Sequence, residues 1–233
     1  TFHVLRTTRM AMTSSAGTRN NRRAWPIERD GLVFILPTAA VSLALFLLRY
    51  PGSATAVLLL AGFLVFFFRD PERVLPQGER LILAPADGRV VAVKPFEEWR
   101  GAFGEPLTRV SIFLSVLDVH VIRAPIAGKV TEATHTPGRF RAAWGEIAST
   151  ENEQTLVHFA ASDGDVWIKL IAGLIARRIV CRVQPGQKVE AGQRIGLIRF
   201  GSRVDCILPA TAELRVRRGQ SVRGGATVLG VIP

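Results

Sequence analysis

The segment 184-QPGQKVEAGQRIGLI-198 decides the fold, because the chain writes it a second time as 218-RGQSVRGGATVLGVI-232. Both copies read Gly-Gln-x-Val, then a glycine-containing turn, then an apolar strand. Short Val/Ile/Leu runs punctuated by Gly and Pro are a strand-and-turn signature. Working outward, 84-APADGRVVAV-93, 124-APIAGKVTEA-133 and 208-LPATAELRVR-217 share a second shape. Each has Pro, a few residues, a small or Gly position, and then alternating apolar residues. The pattern begins after 69-RDPERVLP-76 and predicts a mainly β domain over residues 70–233. Within it, 161–180 reads as one longer strand or a helix, with Arg177-Arg178 as a solvated end.

Repeated G-x-x-V-x-x-G-x-x-L/I hairpins resemble those of lipoyl and biotinyl carrier domains, which implies a barrel-sandwich hybrid of small sheets joined by tight turns. No Lys flanked by Met stands at a hairpin tip, so a carrier would lack its attachment residue. A membrane-tethered binding module of this type is nevertheless an alternative reading, as is an envelope protein whose Gly-Ser is only a turn.

A chain of 233 residues has room for one ordinary domain and something extra. The extra part is apolar. Residues 31-GLVFILPTAAVSLALFLL-48 carry no charge, and neither do 50-YPGSATAVLLLAGFLVFFF-68. As helices they would reach about 27–28 Å, close to the thickness of a hydrocarbon core. Arg49-Tyr50-Pro51-Gly52 between them is a turn signal, so residues 31–69 predict a membrane helical hairpin. Arg19, Arg22, Arg23 and Arg29 precede it, and Arg69, Arg73 and Arg80 follow. The positive-inside rule then places both ends, and the domain beyond, on the cytoplasmic face of a cell membrane. Two buried core helices are the competing reading. Residues 1–30 read as a basic leader, predicted to be disordered. Removal of residues 1–68 is predicted to leave the β domain folded.

The formal net charge of +11 is divided as +6 over residues 1–69 and +5 over the remainder. No basic helix or aromatic-basic alternation accompanies it, so an anionic membrane surface fits better than nucleic acid. Cys181 and Cys206 suggest neither a disulfide framework nor a metal site; buried small apolar side chains account for them.

Three segments carry possible chemistry: 85-PADGRV-90, 115-SVLDVHVIRAP-125 and 200-FGSRVD-205. Singly they read as a turn, a structural His and a loop. Together they supply a carboxylate, an imidazole and a hydroxyl, the parts of a base-activated nucleophile. His135 and His158 read as structural.

With 67-FFRDPER-73, 151-ENEQ-154 and 172-AGLIARRIV-180 added in order, the chain resembles the phosphatidylserine decarboxylases, in their short prokaryotic form. Longer members have Leu-Gly-Ser-Thr at the reacting serine, where this chain has Phe-Gly-Ser-Arg. Longer members also carry a second His three residues after the first, where this chain has Arg123. The resemblance implies self-cleavage between Gly201 and Ser202, giving chains 1–201 and 202–233, with Ser202 converted to a pyruvoyl group. It implies His120 as the base, Asp87 as the carboxylate that holds its tautomer, and Asn152 as part of a substrate-binding segment. Arg123 faces either the substrate phosphate or solvent. The implied reaction converts phosphatidylserine to phosphatidylethanolamine and carbon dioxide through a Schiff base to the pyruvoyl group, without metal or pyridoxal phosphate. An archaeal-type ether lipid of serine is an alternative substrate, and a homodimer is allowed.

Overall fold

A computed structural model describes residues 26–97, 106–143, 145, 147–174, 178–199 and 201–233. The leader up to residue 25 and Arg177 lie outside the described residues. Two helices, α1 (Leu32–Leu47) and α2 (Pro51–Phe67), precede the strands. Pro51 opens α2 at a position where its missing N–H costs nothing. Small residues let the two helices approach: Ser42 Oγ donates to the Ala54 carbonyl at 2.8 Å, while Leu36, Leu47 and Leu59 remain exposed.

Among the described residues, fourteen strands then form three antiparallel sheets. The large sheet has the order β13 (Ser221–Val222), β2 (Gly88–Pro95), β3 (Leu107–Leu114), β11 (Ser202–Pro209), β7 (Val166–Ala172), β6 (Gln154–Ala160), β5 (Gly128–Thr136), β9 (Lys188–Val189). One small sheet is β1 (Leu81–Leu83), β14 (Val228–Val231), β12 (Glu213–Leu214); the other is β4 (Val121–Arg123), β10 (Arg194–Arg199), β8 (Arg178–Cys181). Among the described residues, 161–180 is neither one long strand nor a helix: a turn leads into β7, and β8 starts at Arg178 in a different sheet. All three sheets feed one apolar core, with Ile82 and Leu229, Ile122 and Ile195, and Ile112, Ile168 and Val204 as examples.

The sequence repeats become an internal pseudo-two-fold. β13 and β9 close the two edges of the large sheet, against β2 and β5 respectively, and β14 and β10 pair β1 and β4. The backbone bonds come in matched pairs. Leu83 N bonds Pro125 O and Arg123 N bonds Pro85 O, both at 2.8 Å; Gly225 N bonds Ala84 O and Gly192 N bonds Ala124 O, again at 2.8 Å. The turn glycines match too, with φ of 94° and 88° at Gly186 and Gly219, and 75° and 74° at Gly192 and Gly225. Left-handed φ is why glycine recurs there. The two Gly-Gln-x-Val units are thus not self-contained hairpins: each sends its first strand to the large sheet and its second to a small one.

The helical hairpin is fastened to the β domain. Phe67 and Phe68 are buried with Val119, Val121 and Leu197. Glu28 and Asp30 both bind Arg182, at 2.7 and 3.0 Å, so residues 26–30 are placed rather than part of a disordered leader. Asp70 binds Arg123 and Arg194. Removing residues 1–68 would therefore strip an apolar lid and the two carboxylates that bind Arg182 from the domain.

Candidate active site

Antiparallel register fixes what meets at one end of the large sheet. Leu114 at the end of β3, Ser202 at the start of β11 and Ala172 at the end of β7 are side-by-side partners. The turn after β3 therefore leads His120 back toward the Gly201–Ser202 bond. In that turn the Asp118 carboxylate accepts from Ser115 N at 2.8 Å and Ser115 Oγ at 2.7 Å, which fixes the local path.

His120 is fully buried. Its Nδ1 lies 3.0 Å from the Asp118 carbonyl, and a carbonyl only accepts, so the proton sits on Nδ1. Nε2 is then the bare nitrogen, and it accepts from the Gly201 amide at 3.1 Å. Burial pushes the imidazole pKa down to about 4 despite the opposing pull of Asp118. A neutral ring with a lone pair at the Gly201 amide is the form a general base requires. Phe67 covers the ring, with centroids 4.4 Å apart.

Gly201 has φ of 68°, a left-handed conformation that costs a side chain about 1 kcal/mol or more. Ser202 is fully buried, and its Oγ has no hydrogen-bond partner among the described residues. An orphaned hydroxyl in a buried strand is expensive, and such exceptions call for a chemical reason. Across the bond, Gly173 comes so close that a Cβ there would lie 2.4 Å from the Gly201 carbonyl oxygen.

The structure brings His120 and Gly201–Ser202 together, but not the other three expected residues. Asp87 does not hold the imidazole. Its carboxylate binds Arg73 at 2.6 Å and the Gly224 amide at 2.8 Å, and the Asp118 carbonyl does the orienting instead. Burial raises the Asp87 pKa, more than Gly224 and Arg73 lower it. Arg123 does not face solvent: it is buried, bonded to Asp70 at 3.0 Å, Pro71 O at 3.1 Å and Gly192 O at 3.1 Å. Asn152 spends its amide on backbone, accepting from Arg141 N at 2.9 Å and donating to Arg141 O at 2.8 Å and Ala172 O at 2.7 Å. It thereby ties Arg141 to the end of β7. His135 and His158 bond the Thr155 and Thr131 hydroxyls within the β5–β6 pair.

Sequence reasoning missed Phe67, Asp118, Gly173 and Arg203. Arg203 is buried next to Ser202 in β11, bidentate to Asp205 at 2.6 and 3.0 Å, and it also bonds Ser111 Oγ at 2.9 Å and Gly145 O at 3.2 Å. Only Asp118 left a signal: Ser-x-x-Asp at 115–118 is a side-chain-capped turn two residues before the histidine.

The comparisons agree with this geometry. The family model described as phosphatidylserine decarboxylase matches residues 60–230, which hold every residue of the site. A phosphatidylserine decarboxylase proenzyme of Symbiobacterium thermophilum is 45% identical over 209 residues, covering 89% of this chain and 96% of that protein. The match spans the β domain and includes the Gly201–Ser202 bond, and the chain belongs to the phosphatidylserine decarboxylase family.

Proposed function

We propose that this protein is a self-cleaving, membrane-associated decarboxylase of phosphatidylserine whose catalytic carbonyl is made from Ser202. One observation carries the reading: a neutral imidazole, bare at Nε2, touches the amide of Gly201 beside a buried, unpartnered serine hydroxyl. Ser202 Oγ attacks the Gly201 carbonyl carbon while His120 Nε2 takes its proton, which requires Nε2 to exchange the Gly201 amide for the hydroxyl. Collapse breaks the peptide C–N bond, returns the proton to the amine and leaves an ester. Loss of the Ser202 α-proton expels Gly201 as a carboxylate and leaves dehydroalanine; water then replaces its nitrogen, releasing ammonia. The fit is supported by Ser202 itself, since the hydroxyl that must be consumed has no hydrogen-bond partner among the described residues.

The pyruvoyl group so formed supplies a carbonyl for the substrate amine and a sink for the electrons left by carbon dioxide. His120 sits where it can hold or return a proton at that atom, and Phe67 keeps water from the ring. The apolar hairpin favours a lipid substrate and a membrane location: the helical stretch Arg29–Leu47 is long and apolar enough to cross a bilayer. With Arg69 and Arg73 at its far end, the positive-inside rule puts the β domain in the cytoplasm.

Intact mass of the purified protein tests the reading first. Chains of residues 1–201 and 202–233 are expected, the shorter blocked to Edman degradation and labelled by a hydrazide. The same preparation should release carbon dioxide from phosphatidylserine in mixed micelles, and free serine should be a poor substrate. An uncut chain in an active preparation overturns self-processing, and comparable turnover of free serine overturns the lipid assignment.

Two further results are expected. Cleavage needs the neutral ring, so its rate should hold steady from pH 8 to about 5 and fall about tenfold per unit below pH 4. A midpoint near 6.5 would show that water reaches His120. Stability moves the same way. Between pH 6.5 and 4 the unfolded imidazole binds a proton that the folded one refuses, so unfolding becomes easier as pH falls through that window, by on the order of 3 kcal/mol in all. Gly173→Ala should displace the scissile carbonyl, because its Cβ would stand 2.4 Å from that oxygen and 3.2 Å from the Ala143 Cβ. Misplacement of this size slows reaction by about a hundredfold. A time course of intact mass checks it, and a half-time within threefold of wild type refutes the steric argument.

A further inference from the structure

Among the described residues outside the helical hairpin, five large apolar side chains are exposed: Val74, Leu75, Leu117, Ile147 and Leu174. Scattered exposed apolar residues need no explanation. Three of these five are not scattered. Leu117 lies in the turn after β3, Leu174 follows β7, and Ile147 precedes a short helix, α3 (Ala148–Glu151). Register places the ends of β3 and β7 beside Ser202. The segment leading to Ile147 is drawn to the same place, because Arg203 bonds Gly145 O and Ala143 lies against Gly173. The three residues are 61%, 57% and 60% exposed.

The apolar hairpin joins the molecule at this end as well. Arg69, just past α2, donates to the Leu117 carbonyl at 2.6 Å, and Phe67 covers His120. Basic side chains accompany the rim: Arg69 beside Leu117, and Arg139 and Arg141 on the segment leading to Ile147, which share the single Glu151 carboxylate and leave a net positive charge. Aliphatic tips among arginines suit the boundary between acyl chains and anionic headgroups.

We infer that Leu117, Ile147 and Leu174 form a lipid-contacting rim around the Gly201–Ser202 site, which rests on the surface of an anionic bilayer and receives phosphatidylserine directly from it. This deepens the proposed function and rests on it. The hairpin alone would tether the protein; the rim decides which face of the β domain meets lipid, and so lets a serine headgroup reach a fully buried residue without leaving the membrane as a free molecule.

The test uses the full chain with Leu117, Ile147 and Leu174 all changed to Ser. Activity is measured on phosphatidylcholine vesicles containing phosphatidylserine, and on dihexanoyl phosphatidylserine below its micelle concentration. The inference expects processing into two chains as in the unaltered protein, a vesicle rate reduced at least tenfold, and a soluble-substrate rate within threefold. A vesicle rate within twofold, or equal losses on both substrates, overturns it. Should the triple variant remain uncut, Leu174→Trp serves instead: its added fluorescence should be quenched by vesicles of dibrominated lipid, and absence of quenching overturns the rim. Failure of the unaltered protein to float with vesicles would overturn the membrane reading and the rim together. Flotation without decarboxylation would sink the proposed reaction, while quenching at position 174 could still uphold lipid contact.

Discussion

Ser202→Ala is expected to leave one uncut chain with no decarboxylase activity at all. The substitution removes a single oxygen, and the site loses both its nucleophile and the only precursor of its carbonyl. The fold should survive. The Oγ has no hydrogen-bond partner among the described residues, so its loss leaves no donor or acceptor stranded, and unfolding should be unchanged or slightly harder. A stable, well-folded, wholly inactive precursor is a sharper outcome than inactivity alone. His120→Ala should also block cutting, by the factor of roughly 10² to 10⁴ that a positioned base supplies. Intact mass over time reads both. Cleavage of the His120→Ala chain at a normal rate would transfer the base role to another group.

The second large effect is expected at Phe67, a residue of the helical hairpin rather than of the β domain. Phe67 is fully buried, packs edge-on against Phe68 with centroids 5.0 Å apart, and covers the His120 ring. Phe67→Ala should destabilise the protein by about 3 kcal/mol or more, the usual cost of emptying a buried phenyl site. A merely structural role would end there. Here the cavity also opens onto the imidazole, so the pH midpoint of cleavage should climb from about 4 toward the ordinary histidine value. Phe63→Ala, one turn earlier and partly exposed, should change neither quantity appreciably. Loss of stability in Phe67→Ala with an unmoved midpoint would mean that the ring is shielded by other atoms.

The repeats were legible because each copy must solve the same local problem, a left-handed turn followed by a strand, and glycine at matched positions announces it. What the repeats could not announce is where the partners lie. Lys188-Val189 and Ser221-Val222 look alike in sequence, yet they close opposite edges of one sheet, a matter of long-range pairing. The helices were legible from uninterrupted apolarity, but their attachment was not, since Phe67 reads as one more membrane residue. At the site, Ser202 and His120 were visible as reactive types in a familiar order. Asp87 misled because an Asp-Gly turn looks the same whether its carboxylate meets a histidine, or an arginine fourteen positions earlier and a distant amide. The orienting group is a backbone carbonyl, which every residue possesses and no sequence can single out. Arg123 and Asn152 show the converse, polar side chains that look like ligand contacts and are consumed by the fold.

The position of β11 between β3 and β7 has a consequence for molecularity. Eight register pairs on one side and six on the other bind residues 202–209, and the same fragment continues into the strand that completes β1 and β12. Cutting before Ser202 would therefore turn a unimolecular fold into a heterodimer without loosening it: the short chain is the middle of the sheet, not a flap upon it. Escape requires dismantling the core, so the two pieces should travel together through any native separation. Recovery after denaturation becomes second order, slowing on dilution and succeeding only when both fragments are present. Maturation is then a one-way commitment in folding as well as in chemistry, since a precursor can refold alone and its product cannot.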